Sequence, residues 1–204
     1  MFFNCWVENN LFVLDSIDFV NLKIPKGNSC FIIGHHIRDE RKINENSNLL
    51  IEKGYRNFFI FGEQSPLWSK AFETYRENYS LIKIESTKVD NFKFSYNLAY
   101  MLDQFPELVN LVISDDYYFT EYLMEDIDDI FNGRSLFSVD DWKLFKKGFE
   151  FKYNNKDCII YVGDDIILGI LGKEKYYNNT FKAFREKIFD RYTFIDIWND
   201  IKSI

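Results

Sequence analysis

The chain has two histidines, and they are adjacent: His35 and His36, in the stretch FIIGHHIRDER. An imidazole oriented by a carboxylate works as a general base near neutral pH. The carboxylates best placed to orient one are Asp115 and Asp116, in LVISDDYYF, where two acids again follow directly on an apolar run. Polar groups stand in the same relation to apolar runs at Gly62-Glu63-Gln64-Ser65 and at Glu85-Ser86-Thr87. If the protein is an enzyme, His35, His36, Asp115 and Asp116 are its catalytic candidates. The matching substrate is a small nucleotide- or sugar-like molecule, transferred or hydrolysed in a pocket that these residues and Glu63 would line.

Metal chemistry fits less well. Neighbouring side chains on extended backbone point to opposite sides, so the two imidazoles make a poor pair of ligands for one ion. Asp115 and Asp116 suit Mg²⁺ with substrate phosphates, but no basic loop nearby would receive the phosphates. No metal and no cofactor is expected. The chain has no G-x-G-x-x-G, no G-x-x-x-x-G-K-[ST] and no G-x-S-x-G, which leaves nucleotide binding by a glycine loop and a serine elbow unsupported. Cys5, Cys30 and Cys158 are odd in number, scattered, and set in apolar runs. Buried free thiols in a reducing compartment follow from that.

These residues need strands to end behind them. CFIIG (from Cys30), FFIFG (from Phe58), LIKI (from Leu81) and LVNLVIS (from Leu108) read as buried strands. A helix fills each gap. Asp39 caps the first, and Gly54 ends it. Ser65 caps the second with Pro66 at its first position, and it runs to about Asn78. Asp90 caps the third, which turns Phe94, Leu98, Met101, Leu102 and Phe105 to one face and stops at Pro106. The fourth spans Tyr118 to Phe131, with Phe119, Tyr122, Leu123, Ile127 and Ile130 inward and Gly133 closing it. Apolar strands alternating with helices specify an α/β fold: a mostly parallel sheet of about four βα units, Rossmann-like and three-layered. Ligands of such sheets bind at the carboxyl ends of the strands, beside a topological switch point. With the strands in the order third-second-first-fourth, the histidine loop meets Asp115 and Asp116. With second-first-third-fourth, it meets Glu85, Ser86 and Thr87.

The ends of the chain differ. FFNCWV-ENN-LFVL reads as a hairpin turning at Glu8-Asn9-Asn10. Ser138 caps a short helix. FEFKY-NN-KDCIIYVGDDIILGIL reads as three antiparallel strands turning at Asn154-Asn155 and at Gly163-Asp164-Asp165. The tail, about 179–201, is helical in two pieces. The meander either extends the main sheet or forms a second one. The 204 residues are read as a single domain, with a βα core at 30–133 and the meander and tail at 134–204.

Composition narrows the function. Apolar residues are 47 % and aromatics 19 %, enough for a packed core. No uncharged run approaches the roughly 18 residues of a membrane span, and MFFNCWVENN lacks the basic start of a signal peptide, so a cytoplasmic protein is expected. The net charge of −7 is concentrated. Residues 103–141 hold eleven acids (Asp103, Glu107, Asp115, Asp116, Glu121, Glu125, Asp126, Asp128, Asp129, Asp140, Asp141) against one base, Arg134. Such density repels nucleic acid and anionic membrane and attracts a basic protein. Tyr117, Tyr118 and Tyr122 lie in the same block, and tyrosine is a favoured interface anchor. The preferred expectation is therefore a non-enzymatic acidic protein. It binds and neutralises a basic partner such as a nuclease-type toxin, in the general manner of a bacterial toxin-immunity protein. The contact residues are Asp115, Asp116, Tyr117, Tyr118, Glu121, Tyr122, Glu125, Asp126, Asp128 and Asp129. A subunit of an oligomer that pairs through the meander edge is a third option.

Overall fold

In the computed structural model, which describes residues 5–8, 10–14, 24–76, 81–88, 90–132, 134–178 and 180–202, the chain divides into two compact units, Met1–Asp128 and Asp129–Ile204. The first opens with the hairpin Cys5–Glu8 (β1) and Leu11–Leu14 (β2). The central strand Ser29–Ile33 (β3) leads to the helix Glu40–Glu52 (α1), the strand Asn57–Phe61 (β4), the helix Ser65–Glu73 (α2) and the strand Lys83–Thr87 (β5). The helix Asn91–Gln104 (α3) then returns the chain to the strand Asn110–Ser114 (β6), followed by the helix Tyr117–Phe131 (α4). The sheet order is β1-β2-β6-β3-β4-β5. All neighbours run parallel except the edge hairpin. For the four strands expected from sequence, this is the order third-second-first-fourth.

Alternation along the strands builds two apolar layers. Cys30, Ile32, Phe58, Ile60, Leu111 and Ile113 face one side, where α1 and α2 contribute Ile43, Leu50, Trp68 and Phe72 to a fully buried core. Phe58 stacks on Phe72 with ring centroids 3.7 Å apart. On the other side Phe31 stacks on Phe59 at 4.5 Å and meets Phe94 of α3 edge-on at 5.6 Å. Such pairs add about 0.5–1.5 kcal/mol each beyond burial. Every residue of β3 is buried, as a central parallel strand requires.

The capping chemistry read from sequence holds at Asp39, whose carboxylate accepts the N–H of Arg41 and Lys42, and at Asp90, which accepts that of Lys93. Gly54 follows α1 with φ +98°, the conformation a closing glycine supplies. Several boundaries shift. Three elements start one residue early: β3 at Ser29, β4 at Asn57 and α4 at Tyr117. Gln64, not Ser65, precedes α2, so Ser65 is its first residue. That helix ends at Glu73, with residues 77–80 outside the described set. The third strand starts two residues late, at Lys83, because Leu81 is 76 % exposed and the strand is an edge that needs only half its residues apolar. The fourth begins at Asn110. The turn residue Asn9 and the helix-closing Gly133 lie outside the described residues.

The second unit is a separate antiparallel sheet with helices. Ser138 and Asp141 form a reciprocal capping box at the start of Val139–Lys147 (α5). The strands Phe149–Tyr153 (β7), Lys156–Val162 (β8), Ile166–Ile170 (β9) and Lys175–Tyr177 (β10) stack in the order β10-β9-β8-β7. The meander thus has four strands where three were expected. Thr180–Arg185 (α6) and Phe194–Lys202 (α7) follow. Phe137, Phe145, Phe184, Phe194 and Trp198 interlock as its core, with ring centroids such as Phe145–Trp198 at 4.8 Å. Cys30 and Cys158 are buried free thiols, and burial pushes both upward in pKa. Among the described residues no helix is long and apolar enough to cross a membrane.

Candidate functional site

The switch point lies between β3 and β6, where the chain leaves β3 toward β4 and returns on the other side. Asp115 spans it. Its backbone N–H donates to the carbonyl of Ile33 at 3.1 Å, continuing the β6–β3 ladder by one bond. Its carboxylate accepts three backbone N–H groups of the loop after β3: His35 at 2.7 Å on one oxygen, His36 at 2.9 Å and Ile37 at 2.8 Å on the other. Three successive donors converging on one carboxylate fix the path of that loop. The loop after β4 locks it from the opposite side. Gly34 donates to Phe61 O at 2.8 Å, and Gln64 N–H returns to Gly34 O at 2.9 Å. Gly62, at φ +113°, approaches so closely that a Cβ there would stand 2.5 Å from Gly34 O.

The two imidazoles diverge, although the backbone here is a bend after the end of β3 and not the extended strand expected from sequence. His35 turns inward, stacked on Phe119 at 4.3 Å and edge-on to Phe61 at 5.3 Å. Its Nε2 is buried with no hydrogen-bond partner. His36 turns outward, 66 % exposed, and its Nε2 lies 3.0 Å from Asp116 Oδ2. Asp116 has a second task. Its other oxygen accepts the N–H of Phe119 at 3.2 Å, and its carbonyl accepts Thr120 N–H at 3.1 Å, so it caps α4. Ser114 Oγ donates to Asp116 O at 2.8 Å and braces the same turn.

The four residues singled out from sequence therefore touch one another. A cavity of about 60 Å³ lies beside them, lined by Phe61, Phe94, Ser95, Phe119, Leu123 and Asp126 among others, and none of the four lines it. The other strand-end groups are engaged elsewhere. Glu85 accepts Lys93 and Asn97 at 3.0 Å each, and Thr87 Oγ1 accepts the N–H of Asp90. Glu63 is exposed and Ser65 buried. Among the described residues, no group of three His, Cys, Asp or Glu side chains is arranged to hold a metal ion.

The acidic block forms much of the outer surface of α4. Leu123, Ile127 and Ile130 of α4 are buried. Tyr118, Glu121, Tyr122, Glu125 and Asp128 are exposed at i, i+3, i+4, i+7 and i+10, one continuous face of a helix. Tyr118 is 72 % exposed, Tyr122 61 % and Tyr117 46 %, with the Tyr117 hydroxyl donating to Glu121. Tyr122 departs from the inward position that the apolar stripe of α4 predicts. It stands one turn beyond Tyr118 and shares that residue's outward direction. Of the two acids expected to widen this face, Asp126 accepts Ser95 Oγ at 2.7 Å, and Asp129, one turn beyond Glu125 and 49 % exposed, is bridged by Arg134 at 2.8 Å.

The chain matches no known family model, no curated protein and no solved structure. Two features mark the first unit: the tied switch-point loop and the exposed tyrosine–carboxylate face. The role of Asp115 in holding the loop was not anticipated. The only sequence signal for it is an acid placed at the end of the strand beside β3.

Proposed function

We propose that this is a non-enzymatic acidic α/β protein that binds and neutralises a basic protein, through the face of α4 formed by Tyr117, Tyr118, Glu121, Tyr122, Glu125 and Asp128. The observation that carries the reading is the exposure of three tyrosines among three carboxylates on one helix. A single exposed tyrosine is ordinary, but a contiguous group of them on one surface marks an interaction site. Grouped on a surface with acids between them, they supply rigid anchors, and the acids steer a cationic partner and suppress anionic ones. In its specific form the proposal is toxin-immunity-like: the partner is a nuclease-type toxin whose phosphate-binding groove α4 would cover. The test is capture from a lysate of the native host on immobilised protein, in low and in high salt, with wild type and with Glu121→Lys/Glu125→Lys. A basic protein held by wild type in low salt, released by high salt and lost with the variant supports the reading. Recovery of no salt-sensitive partner counts heavily against it. Tyr122→Ala should weaken such a complex by roughly 30-fold or more, the cost of removing an anchor of about 2 kcal/mol.

The 3.0 Å contact between His36 and Asp116 favours one other reading, a hydrolase or transferase that uses this pair as its base on a nucleotide- or sugar-like substrate. Turnover of phosphoester or glycoside model substrates that vanishes in His36→Ala would establish it in place of the first.

A further inference from the structure

Among the described residues β7 is an edge strand, paired with β8 on one side only. Its hairpin turns through Asn154 and Asn155, at φ 49° and 61°, the two-residue turn whose flanking residues, here Tyr153 and Lys156, form a hydrogen-bonded pair. Bonded and non-bonded pairs alternate along an antiparallel ladder. Phe149, Phe151 and Tyr153 therefore direct their N–H and C=O toward β8, and Glu150 and Lys152 direct theirs to the free edge. The side chains of Glu150 and Lys152 are exposed. An edge of this kind is a template for another strand unless something blocks it.

The strand reads Phe149-Glu150-Phe151-Lys152-Tyr153, and this order complements itself when reversed. Set antiparallel about a two-fold axis at Phe151, Glu150 of each copy faces Lys152 of the other, Phe149 faces Tyr153, and Phe151 faces Phe151. Both charged pairs fall where the main chain points outward, so each exchanges two backbone hydrogen bonds. The neighbouring registers that keep the main chain paired put Glu150 against Glu150 or Lys152 against Lys152, like charges directly opposed. One register is thus favoured and its neighbours are penalised. Beside the strand runs a groove of about 610 Å³, with Phe149, Phe151, Leu171 and Ile201 among its lining residues, which offers apolar surface to the incoming aromatics. Lys152 already lies 3.7 Å from Asp157 of its own chain and would sit between that carboxylate and the Glu150 of the second copy.

We infer that β7 is a self-association edge: a second copy of this chain adds to it antiparallel, in the register centred on Phe151, and joins the two four-stranded sheets into one of eight strands. This edge shares no residue with the α4 face. A five-residue strand is a small interface, so association is expected in roughly the tens to hundreds of micromolar. Sedimentation equilibrium from about 5 μM to 1 mM spans that range. The expected result is a mass rising from 24.6 kDa toward twice that value. Glu150→Lys and Lys152→Glu should each weaken association by roughly tenfold or more, since each turns two facing pairs into like charges. The double exchange sets acid against base again and should restore it. Circular dichroism confirms that these surface variants stay folded. Three results would overturn the inference: a monomer at every concentration, an association indifferent to the single reversals, or one that the double exchange does not recover.

Discussion

Asp115→Ala tests the brace at the switch point most directly. The substitution leaves the N–H groups of His35, His36 and Ile37 without their acceptor. Hydrogen bonds to a charged group contribute about 1.5–3 kcal/mol when buried. The His36 bond is exposed and water replaces it, while those of His35 and Ile37 are partly buried. Counting the latter two at the low end gives a destabilisation of about 3 kcal/mol, a large share of a total of about 5–15 kcal/mol. For a unit of this size the melting temperature should fall by roughly 10 °C. Asp115→Asn keeps one acceptor oxygen but turns an amide toward the remaining donor, and should cost about half as much. Urea denaturation gives the energies. Amide hydrogen exchange at His35 and Ile37 locates them, because loss of the brace should speed exchange there before it does in β3. A cost below about 1 kcal/mol for Asp115→Ala, with exchange at those amides unchanged, would refute the assignment.

Other outcomes follow from single contacts. Gly62→Ala places a methyl against the Gly34 carbonyl at a φ of +113° and should cost about 2–4 kcal/mol in the same denaturation assay. Asp196 caps α7 reciprocally with Thr193, and the Thr193 N–H and hydroxyl hold its carboxyl below the usual range. A depressed folded value means stabilisation that is present above the unfolded pKa of about 3.9 and lost as pH falls through the folded one. Asp196→Asn should therefore flatten part of the acid limb of stability below about pH 4, measured by urea midpoints at pH 7 and pH 3. The buried thiols of Cys30 and Cys158 should resist alkylation in the native protein and react once it is unfolded, as peptide mass mapping would show.

The alternation of apolar strands and helices made the parallel sheet legible, but not its strand order, which is set by which strands pair across long crossovers and leaves no local mark in the sequence. Capping at Asp39, Asp90 and Ser138 was legible for a local reason: the carboxylate or hydroxyl serves N–H groups two or three residues on. The errors arise where a neighbour decides. β10 is three residues, Lys-Tyr-Tyr, between Glu174 and Asn178, and nothing in it signals a strand until β9 supplies the ladder. Leu81 reads as core only while the third strand is taken to be internal. Asp115 could be placed near the histidines, but its role could not be foreseen, because the groups it binds are backbone amides of a loop 80 residues away. The inward turn of His35 is set in the same way by Phe61 and Phe119, from two other elements.

Leu11 of β2 pairs with Asn110 of β6, and Ser29 of β3 with the same residue. In synthesis order the chain delivers β2 first and its partner last. At about 5–20 residues per second, a ribosome needs roughly 5–20 s to make the intervening stretch. Through that interval β3, β4 and β5 can zip together by short crossovers, while the flank of β3 reserved for β6 stays open and the β1–β2 hairpin, too small to hold its shape alone, has nothing to dock on. A nascent chain stalled before Asn110 presents a strand whose every residue is buried in the finished fold with one edge bare, so the interval before β6 emerges is when this fold is most exposed to misassembly and most in need of a chaperone.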